Sequence, residues 1–307
     1  MGGVGFIYDE IFLKHEPPPW HPERKDRITR IAGTLKESPL WERLVHVRPR
    51  RAEIADIARV HTAEHIERIM ACGEASLDED TYTSRDSLDA ALHAAGGLME
   101  AVDRCRKGDI ARAFCAVRPP GHHAEAHCAM GFCLFNNIAV AARYAQTVGY
   151  ERVFIIDFDA HHGNGTQHIF EEDDSVYYFS THQYPYYPAT GKDMERGRGK
   201  GEGYTYNIQI LTGSGDKDYL YVYQDILPGL VKRFAPDIVL VSAGYDIHVD
   251  DPFADIRVTG EGIRGIVRSI LASAGCPMVF ALEGGYNLEA LAGSVRITIE
   301  EMLGEES

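Results

Sequence analysis

Asp157, Asp159, His161 and His162 follow directly on the apolar run 153–156. Asp159 and His161 lie two apart, so on an extended segment a carboxylate and an imidazole face the same way. Asp246, from a distant stretch, could add a third ligand. Two Asp and one His suit a catalytic zinc ion with one open position, and Fe(II) would accept the same set. A hydrolytic metal site needs a base nearby, and histidine has a suitable pKa. His122 and His123 stand side by side after "RPPG", where Pro119, Pro120 and Gly121 turn the chain. Each imidazole needs an acceptor on its other nitrogen, and Asp157 and Asn164 are the available side chains. Tyr286 follows Gly284 and Gly285 and could donate a hydrogen bond to a developing oxyanion. Taken singly, each feature has a plainer reading: a turn carboxylate, a surface His pair among 14 histidines, or a tyrosine packed at a helix start.

These residues need a scaffold that brings distant stretches to one point. Short apolar runs at 113–117, 153–156, 176–180, 204–210, 238–242 and 278–282 read as strands. Longer stretches near 24–36, 87–107, 137–147, 216–234, 260–274 and 287–302 read as helices. The alternation predicts an α/β fold, an open and mainly parallel sheet flanked by helices, in a single domain over 1–307. The strand runs are continuously apolar, as expected where both faces are covered. Five of them run into "RPPGHHAEAH", "DFDAHHGNG", "THQYPYYPATG", "AGYDIHVDDP" and "EGGYN". Ligands of open parallel sheets bind beyond the carboxyl ends of the strands, so the active site is expected there. The Gly-rich, charged stretch 191–203 is expected as a surface loop.

The net charge of -15 argues against a grip on nucleic acid phosphates and would favour approach by cationic substrates. No apolar run is long enough to span a bilayer, and the start lacks a signal peptide, so a cytoplasmic protein is expected. None of the six cysteines forms a C-x-x-C pair, and all are expected to be reduced. "HHAEAHCAMGFC" has the look of a zinc knuckle, but its spacing fits no standard pairing.

"RPPGHHA", "GFCLFNN", "DFDAHHGNGT", "SAGYD…DDP" and "LEGGYN" together resemble the zinc-dependent histone deacetylase family, in the family's order and over about 22–287. The closer resemblance is to the class II branch and its prokaryotic relatives, which include acetylpolyamine amidohydrolases. The resemblance implies that Asp159, His161 and Asp246 bind zinc. His123 would be the general base and acid, with His122 as its electrostatic partner. Asp157 would orient His122. Asn164 would orient His123, where class I members carry Asp. Tyr286 would polarise the amide carbonyl. Gly131, Phe132 and Tyr187 would line a narrow acyl-lysine channel. Arg27 matches the inner-cavity arginine that relatives use for acetate, and Asp80 the rim position that holds a substrate backbone. Potassium would bind through Asp157, Asp159, His161, Ser180 and Thr181, and at a second site through Phe170, Asp173, Val176 and Tyr204.

The resemblance implies removal of acetyl or other acyl groups from lysine side chains of proteins or peptides, with acetylpolyamine deacetylation as the alternative. Polyamine-selective relatives place a Glu gatekeeper seven residues after the last zinc Asp, and that position here is Phe253. The arginase-type ureohydrolases share the fold but need a second metal. Gly163 and His248 stand where its ligands would be, and His248 has no role in this reading. A non-catalytic binder of acyl-lysine or a small amine is the reading from another class. Every inferred catalytic position is filled, which argues against it.

Overall fold

The computed structural model describes residues 2–304. Residue 1 and residues 305–307 of the expected domain lie outside the described residues. Ten strands form: β1 Gly3–Ile7, β2 Leu44–Val47, β3 Ala75–Ser76, β4 Tyr82–Thr83, β5 Ile110–Cys115, β6 Val153–Asp157, β7 Val176–Gln183, β8 Thr205–Ile210, β9 Ile238–Ala243 and β10 Met278–Leu282. The helices are α1 Asp26–Lys36, α2 Ile54–Ile57, α3 Ala63–Ala71, α4 Ser87–Lys107, α5 Asn137–Thr147, α6 Asn164–Phe170, α7 Asp216–Tyr221, α8 Leu227–Phe234, α9 Gly260–Ser273 and α10 Leu288–Leu303.

Eight strands pair in the order β2-β1-β5-β10-β9-β6-β7-β8, and every pairing is parallel. Their inner runs are buried along their whole length in β6, β7, β9 and β10, which is why they read as unbroken apolar stretches. α4 packs on α5 and on β1, β5 and β10, while α1, α10 and α9 pack in a second row. The chain leaves β6 outward to β8, then returns with β9 and β10 to fill the gap between β6 and β5. That reversal puts the carboxyl ends of β5, β10, β9 and β6 side by side. All four carry the chemistry-bearing stretches.

α4 and α5 lie at their expected bounds because their ends are punctuated. Gly108 takes the left-handed conformation (φ 79°) after α4, and the Asn136 side chain accepts from Ala139 N at 3.0 Å before α5. Two expectations need correcting. The strand expected at 113–117 runs from Ile110 to Cys115, because pairing with β1 starts at Gly3 and Ile110. The helix expected at 216–234 is broken by a π-turn, Val222–Ile226, between α7 and α8. Pro228 lacks the N–H that an unbroken helix would need. The stretch 191–203 is a surface loop, as expected, and it is anchored. Glu195 accepts from Gln167 Nε2 (2.8 Å) and Gly191 N (3.0 Å), which ties it to α6.

Candidate active site

β6 ends at Asp157, and the chain then turns through Asp159 and His161. Asp159 Oδ2 accepts from Gly284 N at 2.8 Å, and Asp246 Oδ1 accepts from Ala160 N at 2.8 Å. Each carboxylate is therefore fixed by backbone from another strand end. Their other oxygens face His161 Nδ1, at 3.0 Å from Asp159 and 3.1 Å from Asp246. Gly284 has to be glycine: a Cβ there would run into both carboxylates.

One ligand atom from each of Asp159, His161 and Asp246 lies within 4.8 Å of the others. The three are the one such His, Cys, Asp or Glu group among the described residues, so the stretch around His127 and Cys128 forms none. Burial and the charge of Asp159 push Asp246 up to about 7. Burial would lower His161, but hydrogen bonds to both carboxylates outweigh it and push it up to about 10. Burial would raise Asp159, yet His122 and His161 hold it below the usual carboxylate range. A buried cluster that draws positive charge onto itself fits a divalent cation bound by two oxygens and a nitrogen.

His122 and His123 lie 4.0 Å apart, ring to ring, and their environments divide them. His122 Nδ1 meets Asp157 Oδ2 at 3.0 Å, and Tyr178 donates to the same oxygen at 3.1 Å. Burial opposes charge on His122, but Asp157, Asp159 and Glu283 override it and push it up to about 10. His123 Nδ1 meets Asn164 Oδ1 at 2.8 Å. Burial, then the neighbouring His122 and His161, hold His123 well below the usual histidine range. The surroundings favour charge on His122 and disfavour it on His123, a division suited to a charge stabiliser and a base. The His pair and His161 of the cluster border the same cavity, of about 250 Å³.

Phe132, Tyr187, Phe253, Tyr286 and Asp80 also line that cavity. Gly131 (φ 55°) and Phe132 (φ 68°) are both left-handed, which folds the chain against His123, where a Gly131 Cβ would clash. Tyr286 is fixed by its backbone N–H to Asp251 Oδ2 (2.6 Å), and its ring lies tilted against Phe253, 4.7 Å between centroids. Burial, then the charge of Asp246, keep its hydroxyl protonated well above the usual tyrosine range.

Arg27 does not line the channel. It lies behind Tyr286, 5.1 Å from the ring, and donates to Gly285 O (2.7 Å), Glu283 O (2.5 Å) and Glu23 (3.2 Å). His21 anchors the rim, with Nε2 2.9 Å from Asp80 O and its ring on Phe132, while Trp20 beside it is 70% exposed. His248 is a turn residue: its Nδ1 accepts from Asp250 N at 3.2 Å. A Cβ at Gly163 would meet Asp157, Tyr178 and His122, so this chain has no room there for a second metal-binding Asp.

The β6–β7–β9 register sets Asp157 beside Ser180 and Ser242. Ser180 Oγ meets His182 Nδ1 at 2.9 Å, and Thr181 Oγ1 meets Tyr223 OH at 2.9 Å. At the second expected potassium site, Phe170 O already accepts from Asp173 N (3.0 Å) and Tyr204 O from Tyr178 N (2.8 Å). The Asp173 carboxylate pairs with Arg143, whose guanidinium lies 4.6 Å from the Phe170 ring. A cation therefore already stands at that corner, near the end of α6 and the start of β7 at Val176.

The sequence reading assigned no role to Glu283, Tyr186 or Glu125. Glu283 Oε2 accepts from Gly121 N (2.7 Å) and His122 N (3.2 Å), and Oε1 accepts from Ser242 (3.1 Å), which fastens β10 to the His pair. A carboxylate directly after a buried strand was the available signal. The Tyr186 ring lies tilted 5.4 Å from that of His161, and its hydroxyl donates to Phe253 O. No helix among the described residues is long and apolar enough to cross a membrane.

Comparison with known proteins finds similar chains over nearly the whole length. A probable deacetylase of Archaeoglobus fulgidus is 40% identical over 294 residues, covering 93% of this chain and 82% of its own. Histone deacetylase 15 of Arabidopsis thaliana is 38% identical over 315 residues, and the match takes in 98% of this chain but 56% of that longer protein. The crystal structure of the HDA15 HD domain superposes with a TM-score of 0.96 at 37% identity, over 99% of this chain and 89% of that one. The family model of the histone deacetylase domain matches residues 21–302, and the chain belongs to that family.

Proposed function

We propose that this chain is a metal-dependent amidohydrolase that removes acetyl or other acyl groups from the side-chain amine of lysine in a protein or peptide. The observation that carries the reading is the meeting of three groups at one cavity: the Asp159–His161–Asp246 cluster, which reaches it through His161, the unequal His122–His123 pair and the protonated Tyr286. Zinc, or Fe(II), held by Asp159, His161 and Asp246 would supply Lewis acidity to a carbonyl oxygen and to a water.

The protein's own residues carry the proton chemistry. His123 is neutral, and its Nδ1 is engaged by Asn164, so Nε2 takes the proton from the attacking water. The same nitrogen then gives the proton to the departing amine. His122, held cationic by Asp157, stabilises negative charge growing beside it. The Tyr286 hydroxyl donates to the carbonyl oxygen as it becomes an oxyanion. Phe132 and Tyr187 enclose the lysine stem and exclude water, and Asp80 at the rim accepts from the substrate backbone. Arg27, behind Tyr286, is suited to receive acetate. The oxygen-rich corner of Asp157, Asp159, His161, Ser180 and Thr181 suits a potassium ion. The corner of Phe170, Asp173, Val176 and Tyr204 suits one less well, because Arg143 already supplies the charge.

The acyl-lysine reading over a polyamine rests on Phe253, an apolar ring where an acidic gate would hold a second ammonium. Turnover of an acetyl-lysine peptide and of N-acetylated putrescine or spermidine, side by side on zinc-loaded protein with a hydroxamate control, tests it. Faster hydroxamate-sensitive release from the peptide is expected. Faster release from the polyamine overturns the substrate assignment, and no release from either overturns the activity.

A further inference from the structure

Glu125 lies two residues beyond His123 and is buried, yet it reaches neither the cavity nor the metal cluster. Its Oε1 accepts from Asn164 Nδ2 at 2.5 Å. The other neighbours of that amide nitrogen are weaker partners: the sulfur of Met130 at 3.3 Å and the carbonyl of His123 at 3.4 Å. Glu125 is itself rigidly held. Its N–H donates to Cys128 O (2.9 Å), its carbonyl takes His61 Nδ1 (2.9 Å), and Oε1 also takes His168 Nδ1 (2.8 Å).

We infer that Glu125 is a positioning residue for the base His123, acting through Asn164; the inference rests on the reading of His123 as the base. An asparagine amide can face either way, and its two ends have opposite hydrogen-bonding character. A carboxylate can only accept, so Glu125 makes Asn164 turn its NH2 toward it. The carbonyl of Asn164 must then face His123. His123 must carry its proton on Nδ1 to meet that carbonyl, which leaves the lone pair on Nε2, on the side of the reacting water. An aspartate in place of Asn164 would present acceptors at both ends and would need no such steering. Glu125 is thus the partner that a neutral orienting residue requires.

The test uses four variants of the metal-loaded protein: Glu125→Leu, Glu125→Gln, Asn164→Asp and the double variant Asn164→Asp/Glu125→Gln. Glu125→Leu frees Asn164 to flip, and kcat should fall roughly 10- to 100-fold with KM within about 3-fold. Glu125→Gln can still offer a carbonyl to Asn164 and should retain most of the turnover. Asn164→Asp sets two carboxylates against each other and should lose activity, and adding Glu125→Gln should restore it at least in part. A merely structural role for Glu125 predicts no such reversal. Wild-type kcat in Glu125→Leu, or a double variant no better than Asn164→Asp, overturns the inference. If Glu125→Leu does not fold, the Asn164→Asp pair decides alone. His123→Ala is run alongside: near-wild-type turnover there removes the base, and the inference with it. Loss of turnover in His123→Ala with none in Glu125→Leu removes the inference alone.

Discussion

The backbone N–H of Tyr286 donates to Asp251 Oδ2 at 2.6 Å, and the other oxygen of Asp251 accepts from Phe253 N at 3.0 Å. One carboxylate therefore spaces Tyr286 and the Phe253 ring that packs against it. Tyr286→Phe removes the hydroxyl and leaves that anchoring intact. We expect kcat to fall about 10²- to 10³-fold, as for loss of an oxyanion donor, with bound metal unchanged. Steady-state rates with metal analysis check this, and a loss below about 5-fold would show that Tyr286 is not the donor.

Metal binding should stabilise the fold. Two buried carboxylates share one imidazole proton in place of a full countercharge. Zinc at about 100 times its dissociation constant should add about 2.7 kcal/mol. Asp246→Asn should abolish most of that gain while leaving the β9 strand intact. Thermal melts with and without zinc measure it, and an equal shift in both proteins would contradict the ligand assignment.

Acid should destabilise the protein partly through His61. Its Nε2 accepts from Asn136 N at 2.9 Å, so the ring must be neutral. Burial lowers its pKa to about 3. The unfolded chain therefore binds the proton more tightly. Stability is full above about pH 6.5 and is lost as pH falls toward 3. At pH 4.5 the loss from this group is about 2–3 kcal/mol. His61→Gln should flatten the slope of urea-derived stability between pH 7 and 4.5. An unchanged slope would place the titration elsewhere.

Phe253 should govern substrate choice. It is about one-third exposed and packs against the Tyr286 ring at the cavity. Phe253→Glu should raise kcat/KM for acetylated polyamine relative to the peptide by roughly 3- to 10-fold, the worth of a partly exposed ion pair. A ratio that stays put would mean that selectivity lies elsewhere on the rim.

Much of the site was legible in the sequence because charge stands abruptly at the ends of buried strands. The four central strands end in the stretches that carry His122, His123, Asp159, His161, Asp246 and Tyr286. The structure brings His122, His123, His161 and Tyr286 to one cavity, with Asp159 and Asp246 on His161 behind it. The bounds of α4 and α5 were legible because Gly108 and Asn136 stop and start helices for stereochemical reasons. β1 and β2 were not. β1 opens with two glycines among its first three residues, and β2 is an edge strand with exposed central residues. Glu125 and Glu283 were missed because their partners, Asn164 and the Gly121–His122 backbone, are far away in sequence. A carboxylate in "HAEAH" reads as surface until the fold buries it.

The most direct test of the central claim is acetate release from an acetyl-lysine peptide by wild-type and His123→Ala protein, with bound metal counted in both. The account predicts one equivalent of catalytic metal in each, and turnover at least about 10²-fold lower in the variant. Near-normal turnover by a His123→Ala protein that holds its metal would contradict it.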